Sequence, residues 1–407
     1  MAAVSGNFVT PIVEELGCGV SAFTMLVSIQ AISMAVLYPV AAKILSTRRI
    51  GRVMGIAATI EAAGILLMST YRSVYMFYIS GALIGAAQAF TGLVAIPILI
   101  NMWFHKKAGT VLGVIIAVSS AATVGYGLLS AQLITFLGWR TAYLVMAIMA
   151  FIISVPMVFL IVKSPEEVGC APYGAEIVEE GRRTAKEFPP TVPWGLTRKE
   201  AFRSSAVYLA WIACLCYSIG SGVSGYIATF STMEIGESIN FGAKAGMCMS
   251  VGGIASSLIL GRINDKFGVK AGLLWGASFT ALGYGGMFLG FGAPYFIFPA
   301  AIAVGLGNSM YQVQCPLLVR YVVGEREYSS IWSVMMVANS LIGGGLYGSI
   351  GLFYDIGDTY RGAFIMAILL YTIALLIGGG AVSLGKRLRQ GETQLQRFAD
   401  SNSAGNH

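Results

Sequence analysis

Charge and histidine are both scarce in this chain. Only 11% of its 407 residues are Asp, Glu, Lys or Arg, against about a quarter in a soluble domain, which excludes an ordinary water-soluble globule. His105 and His407 are the only histidines, leaving almost nothing for a metal site or a histidine-based catalyst. Cys18, Cys170, Cys214, Cys216, Cys248 and Cys315 are scattered. The Cys214-x-Cys216 pair points to opposite sides of a helix and reads as small apolar filling, not a redox motif. No Gly-rich phosphate loop or nucleophile elbow occurs. An enzyme is therefore disfavoured, and neither a cofactor nor a metal is expected.

Apolar sequence is what the chain has in plenty. Hydrophobic residues make up 56% of it and the mean hydropathy is +0.75. Runs near twenty residues recur along the whole length, as membrane-spanning helices require. The fold class expected is an all-α polytopic membrane protein. Helices are expected at roughly 1–14, 20–44, 52–70, 74–101, 108–134 and 139–163, then at 205–231, 241–260, 269–290, 294–318, 328–353 and 361–385. This divides the chain into a six-helix bundle (1–163), a polar linker (164–204), a second six-helix bundle (205–385) and a polar tail (386–407).

The two bundles read as one unit duplicated. Ser5-Gly6 to Gly17 matches Ser224-Gly225 to Gly236 at an offset of 219, with Thr10 over Thr229 and Glu15 over Glu234. Gly51 matches Gly268 at 217, Pro97 matches Pro316 at 219, and Arg140 matches Arg361 at 221. Offsets drifting by so little across a half argue for six plus six helices. Met1 then falls opposite Gly220, mid-way along the seventh helix, so the first helix is expected to be truncated. With both termini cytoplasmic, 22 of the 26 Lys and Arg residues lie on the cytoplasmic side, leaving Arg72, Arg140, Lys244 and Arg361 outside. The pI near 9.0 thus speaks of orientation in a cell membrane, plasma or bacterial inner, and not of nucleic acid.

Gly261-Arg-Ile-Asn-Asp-Lys-Phe-Gly268, expected as a short wet loop between two membrane helices, resembles the loop signature of the major facilitator superfamily of secondary transporters. Three further stretches are similar to its oxalate–formate antiporter-like and monocarboxylate-porter-like branch. They are Asn101-Met-Trp-Phe-His-Lys-Lys-Ala-Gly109, Ser164-Pro-Glu-Glu-Val-Gly-Cys-Ala-Pro172 and Leu196-Thr-Arg-Lys-Glu-Ala-Phe202. The resemblance implies a monomeric transporter in lipid working by alternating access, with a small-molecule substrate bound near mid-membrane. Oxalate–formate relatives hold a basic residue in the eighth helix and a lysine in the eleventh; here those stretches read Ser256-Ser257 and Trp332-Ser-Val-Met-Met336. A site without a fixed cation holds a dianion poorly, because burying unpaired charge costs several kcal/mol. A monocarboxylate moving with a proton, or a neutral polar solute, fits better than oxalate.

Polar side chains near mid-span mark the candidate path. Asn308, Tyr311 and Gln312 recur at i, i+3 and i+4 on an apolar helix, with Gln314 off that face. Gln30, Gln88, Tyr126, Tyr226, Trp332 and Asn339 lie at similar depth. Each lines a wet cavity or serves as helix–helix glue, worth about 1 kcal/mol or less per contact. Glu61 is the one carboxylate expected near mid-membrane, where insertion costs about 3 kcal/mol when ionised. It is a proton-coupling group, a structurally buried acid or an interfacial one. A cytoplasmic latch is expected from Arg262, Asp265 and Lys266, with Asp265 reaching the start of the fifth helix. An inverted counterpart would pair Arg48 with Glu325 or Glu327. The functions weighed are a proton-coupled or exchanging transporter of a small organic acid, an exporter of amphipathic compounds, and a solute sensor of the same fold.

Overall fold

The computed structural model of the chain describes residues 2–18, 20–47, 50–104, 106–173, 195–227, 230–231, 234–347 and 359–404. In chain order its first helices are α1 (Ala2–Leu16), α2 (Val20–Thr47), α3 (Ile50–Met68), α4 (Val74–Thr91), α5 (Ala95–Trp103), α6 (Ala108–Met149), α7 (Val155–Ile161) and α8 (Pro165–Val168). There follow α9 (Arg198–Ala201), α10 (Ser205–Gly222), α11 (Ile239–Phe267), α12 (Val269–Met287), α13 (Ile297–Asn308), α14 (Cys315–Val323), α15 (Tyr328–Tyr347) and α16 (Arg361–Ala404). Lipid offers the backbone no hydrogen-bond partner, so each spanning segment satisfies its own amides as a helix. Among the described residues eight helical stretches are long and apolar enough to cross a membrane. The all-α polytopic class is as expected. Outward faces carry apolar stripes: Ile32, Val36 and Val40 on α2 are 54%, 65% and 45% exposed at a spacing of four.

The chain folds as two compact units. One is Met1–Gly181 with Trp332–Ser349, the other Arg182–Ile331 with Ile350–His407. The first centres on Phe8, Phe23, Phe77, Trp139 and Tyr143, the second on Phe230, Tyr284, Met287 and Phe364.

Several helices depart from the straight rods expected. The segment 74–101 is broken between Thr91 and Ala95, and 294–318 gives way after Asn308 to a wide π-turn, Met310–Gln314. Both breaks precede a proline of the repeat, Pro97 or Pro316. Proline has no N–H for the carbonyl four residues back, and its ring crowds that carbonyl. The expected loop at 261–268 is also corrected. Helix α11 runs on to Phe267, so Arg262, Asp265 and Lys266 sit exposed on its last turns. Gly268 alone makes the reversal, at φ 83°, a left-handed value that favours glycine. The 386–407 stretch likewise does not end the last helix, since α16 continues to Ala404.

The duplication has a structural signature in each unit. In the first, Arg140 pairs with Glu15 at 2.9 Å, and the Trp139 indole donates to the same carboxylate. Arg140 also donates to the carbonyls of Ser69 and Tyr71. In the second, Glu234 accepts from the Tyr360 amide at 2.8 Å and from the Thr359 hydroxyl, with Arg361 3.8 Å away. The matched carboxylates and arginines thus meet within each unit, Arg140 just past a kink in α6 at Gly138 (φ 77°) and Arg361 at the start of α16.

The linker motifs dock on equivalent loops. Trp103 Nε1 donates to the Lys163 carbonyl, and the Tyr173 amide to the Trp103 carbonyl, both at 2.7 Å. Phe104 and Tyr173 form an isolated parallel β-bridge. In the other unit the Leu196 amide donates to the Val323 carbonyl at 2.8 Å, and Gly195 bridges Gly324.

Candidate functional site

Pro97 organises the polar centre of the first unit. Because it cannot donate, the Leu93 carbonyl loses its helical partner, and a freed carbonyl in an apolar setting needs another donor. Trp332 supplies it: its indole is 1% exposed and its Nε1 lies 3.3 Å from the Leu93 oxygen. Two residues earlier, Thr91 donates its hydroxyl to Glu61 Oε1 at 3.0 Å. Thr91 Oγ1 is also 3.5 Å from the Ala87 carbonyl, so its one proton has a second, longer destination. Glu61 is half-buried. One turn before the break, Gln88 Oε1 accepts from Gln30 Nε2 at 2.7 Å, joining α4 to α2. Asn339, two turns beyond Trp332 on α15, is buried at 1% exposure. Tyr126 is half-buried against the unit's aromatic core.

In the second unit the π-turn sorts the side chains near Pro316. Asn308 and Tyr311 are half-buried and Gln312 is exposed, while Gln314 is wholly buried. Gln314 Oε1 accepts from Asn264 at 2.7 Å and its Nε2 donates to the Val269 carbonyl at 2.8 Å. It therefore ties the π-turn to the Gly268 reversal, and lies off the Asn308–Tyr311–Gln312 face. Tyr226 packs its ring 5.6 Å from that of Tyr360.

The serines that stand in place of a basic residue are spent on packing. Ser257 Oγ lies 2.9 Å from Ser309 Oγ, and Ser256 donates to the Leu306 carbonyl. Both are buried where α11 meets α13. The approach depends on two glycines: a Cβ on Gly252 would meet the Ile302 oxygen at 2.3 Å, and one on Gly305 the Met249 oxygen at 2.1 Å. A longer cationic side chain at either serine would have to displace these buried contacts.

The acids expected to serve a latch have local partners. Glu325 pairs with Arg320, and Glu327 accepts from the Arg198 amide at 2.7 Å. Arg48, their expected partner, lies outside the described residues. No cluster of three or more metal-ligating side chains occurs among the described residues.

The structure thus brings together Gln30 with Gln88, and Trp332 with the α4–α5 break that also positions Thr91 against Glu61. Sequence reasoning missed Thr91 and the Leu93 carbonyl. The available signal was Pro97 within an apolar run, which marks a carbonyl four residues earlier that must find a donor.

A family model described as Major Facilitator Superfamily matches residues 1–348. Among curated proteins, an "MFS-type efflux pump" of Mycolicibacterium smegmatis (strain ATCC 700084 / mc(2)155) is 28% identical over 159 residues, 39% of this chain. The match spans about a third (33%) of that relative's length. Among solved structures, the proton:xylose symporter XylE bound to 6-bromo-6-deoxy-D-glucose aligns with TM-score 0.72 and 11% identity, over 94% of this chain and 91% of that one. The human organic anion transporter MFSD10 (TETRAN) aligns with TM-score 0.65 and 12% identity, over 93% and 89%.

Proposed function

Because the chain belongs to the major facilitator superfamily of transporters, we propose that it moves a small organic acid of the monocarboxylate type, or a similar polar metabolite, by alternating access in a cell membrane. The observation that carries the substrate class is the burial of Ser256 and Ser257 between α11 and α13. A dianion would need a fixed cation at that level, and hydrogen-bonded serines stand there instead. A monoanion accompanied by a proton, or an exchange of like for like, avoids the cost of unpaired buried charge.

Glu61 is the proposed proton-coupling group. A carboxylate within the candidate span Ile50–Met68 is held by a hydroxyl at a helix break. Such groups in membrane helices commonly belong to ion or proton paths. Gln30, Gln88, Tyr126, Tyr226, Asn308, Tyr311, Gln312, Trp332 and Asn339 are the proposed lining of the substrate path. The asymmetry of its Lys and Arg supports an orientation with both termini of the full-length protein in the cytoplasm, and the proposed working unit is a monomer.

A second reading, export of amphipathic compounds, is favoured by the name of the Mycolicibacterium smegmatis relative. Solute counterflow in proteoliposomes discriminates. Trans-acceleration by monocarboxylates supports the first reading; accumulation of hydrophobic dyes with no carboxylate counterflow supports the second.

A further inference from the structure

We propose that the second unit carries a binding site for the phosphate headgroup of an acidic phospholipid, in the basic cavity beside the Gly268 reversal. The cavity holds about 480 Å³ and is bounded by Phe267, Lys270, Tyr321, Ser383, Lys386 and Arg387, together with Gly268, Val269 and Val382.

Its depth is that of the lipid–water boundary. Three candidate spans end around it, at Phe267, Val323 and Arg389. Headgroup phosphates lie at that level.

Its charge is of one sign. Lys270, Lys386 and Arg387 line it, and among the described residues none of its lining is acidic. Lys270 is held in place, its Nζ 3.0 Å from Ser383 Oγ. Three cations around one small volume repel each other unless an anion is shared among them. The first turn of α12, a helix of 19 residues, opens beside the cavity with no side-chain cap, so its amides add to the field.

The rim favours a lipid over free phosphate. Phe267 is 67% exposed at the cavity and Leu274 58% exposed one turn beyond Lys270 on the same face of α12. A soluble anion gains nothing from those surfaces, whereas an acyl chain covers them. The site is independent of the transported substrate, and its failure would leave the transport reading intact.

The test uses the purified full-length protein and compares unfolding temperatures in phosphatidylcholine bilayers, in phosphatidylcholine with phosphatidylglycerol, and in phosphatidylcholine with added inorganic phosphate. Phosphatidylglycerol raises the temperature above phosphatidylcholine alone, and inorganic phosphate does not. Lys386→Gln with Arg387→Gln abolishes the increment, because each cation removed weakens binding by about fivefold. Lys386→Arg with Arg387→Lys keeps it, which separates charge from damage to the fold. Lys106→Gln with Lys107→Gln, neutralising exposed lysines of the first unit, also keeps it. Equal increments in wild type and the Gln double variant would overturn the proposal. So would equal loss in the Lys106/Lys107 control, or an inorganic phosphate effect as large as that of the lipid.

Discussion

The Trp332 indole donates to the carbonyl of Leu93, the oxygen that Pro97 deprives of its helical partner. Removing the donor leaves a buried carbonyl unpaired, at a cost of about 1–3 kcal/mol. Trp332→Phe should therefore lower the stability of the purified protein by that order. Pro97→Ala restores an N–H within reach of Leu93, so the double variant should lose less than the two single losses combined. Thermal unfolding of the four proteins in one detergent gives the cycle. Strictly additive losses would show that the indole only fills space.

Glu61 makes a separable prediction. Glu61→Gln keeps the shape and the Thr91 contact but cannot carry a proton. Uptake driven by a pH gradient should fall to background while solute exchange at equal pH persists. Thr91→Val should weaken gradient-driven uptake without abolishing it, since Glu61 then loses its hydroxyl partner. An unchanged response to the gradient in Glu61→Gln would make the carboxylate structural.

The fold was legible where the physics is one-dimensional. Apolar runs of about twenty residues follow from lipid being a solvent without hydrogen bonds, which leaves each span to satisfy its own backbone as a helix. The helix ends were less legible. Gly261 reads as the start of a loop, yet nothing in Arg-Ile-Asn-Asp-Lys-Phe stops a helix once it leaves the hydrocarbon, and α11 continues to Phe267. The site was partly legible. Gln30 and Gln88 were both expected near mid-span, but that they bond to each other depends on the packing of α2 on α4. The partners of Glu61 and Trp332 are a hydroxyl and a main-chain oxygen at a helix break, which composition does not mark.

The short helix α9 carries a pH dependence of its own. Glu200 accepts from the Thr197 amide at 2.8 Å, and Thr197 Oγ1 accepts from the Glu200 amide. The Thr197 hydrogen bonds, with Arg326 nearby, hold the Glu200 carboxyl below its ordinary range. A depressed carboxylate stabilises the fold above its unfolded value, about 4.3, and loses that contribution as pH falls through the lower folded value. Hydrogen-exchange protection of the Thr197 amide should thus fall on acidification below about pH 4. In Glu200→Gln it should be lower at neutral pH and flat across that window. Thr197→Ala should cost about 1 kcal/mol of local stability. Protection that is flat in the wild type would contradict the assignment.

Tyr311 and Gln312 test the proposed path. Both precede Pro316 on the π-turn, and Gln312 is exposed. Tyr311→Phe and Gln312→Ala should reduce transport severalfold with the unfolding temperature nearly unchanged. Gln314→Leu should do the reverse, lowering stability through the lost bonds to Asn264 and Val269. Normal transport in both path variants would reduce the stripe to packing.

Counterflow in proteoliposomes bears most directly on the transport reading. Vesicles holding the purified protein and preloaded with a small monocarboxylate are diluted into a trace of the same solute bearing a label. The account predicts transient accumulation of label above equilibrium, faster with unlabelled monocarboxylate inside than without it, and no such acceleration by oxalate. Saturable oxalate counterflow of high affinity, or binding of carboxylates with no counterflow of any solute, would contradict it.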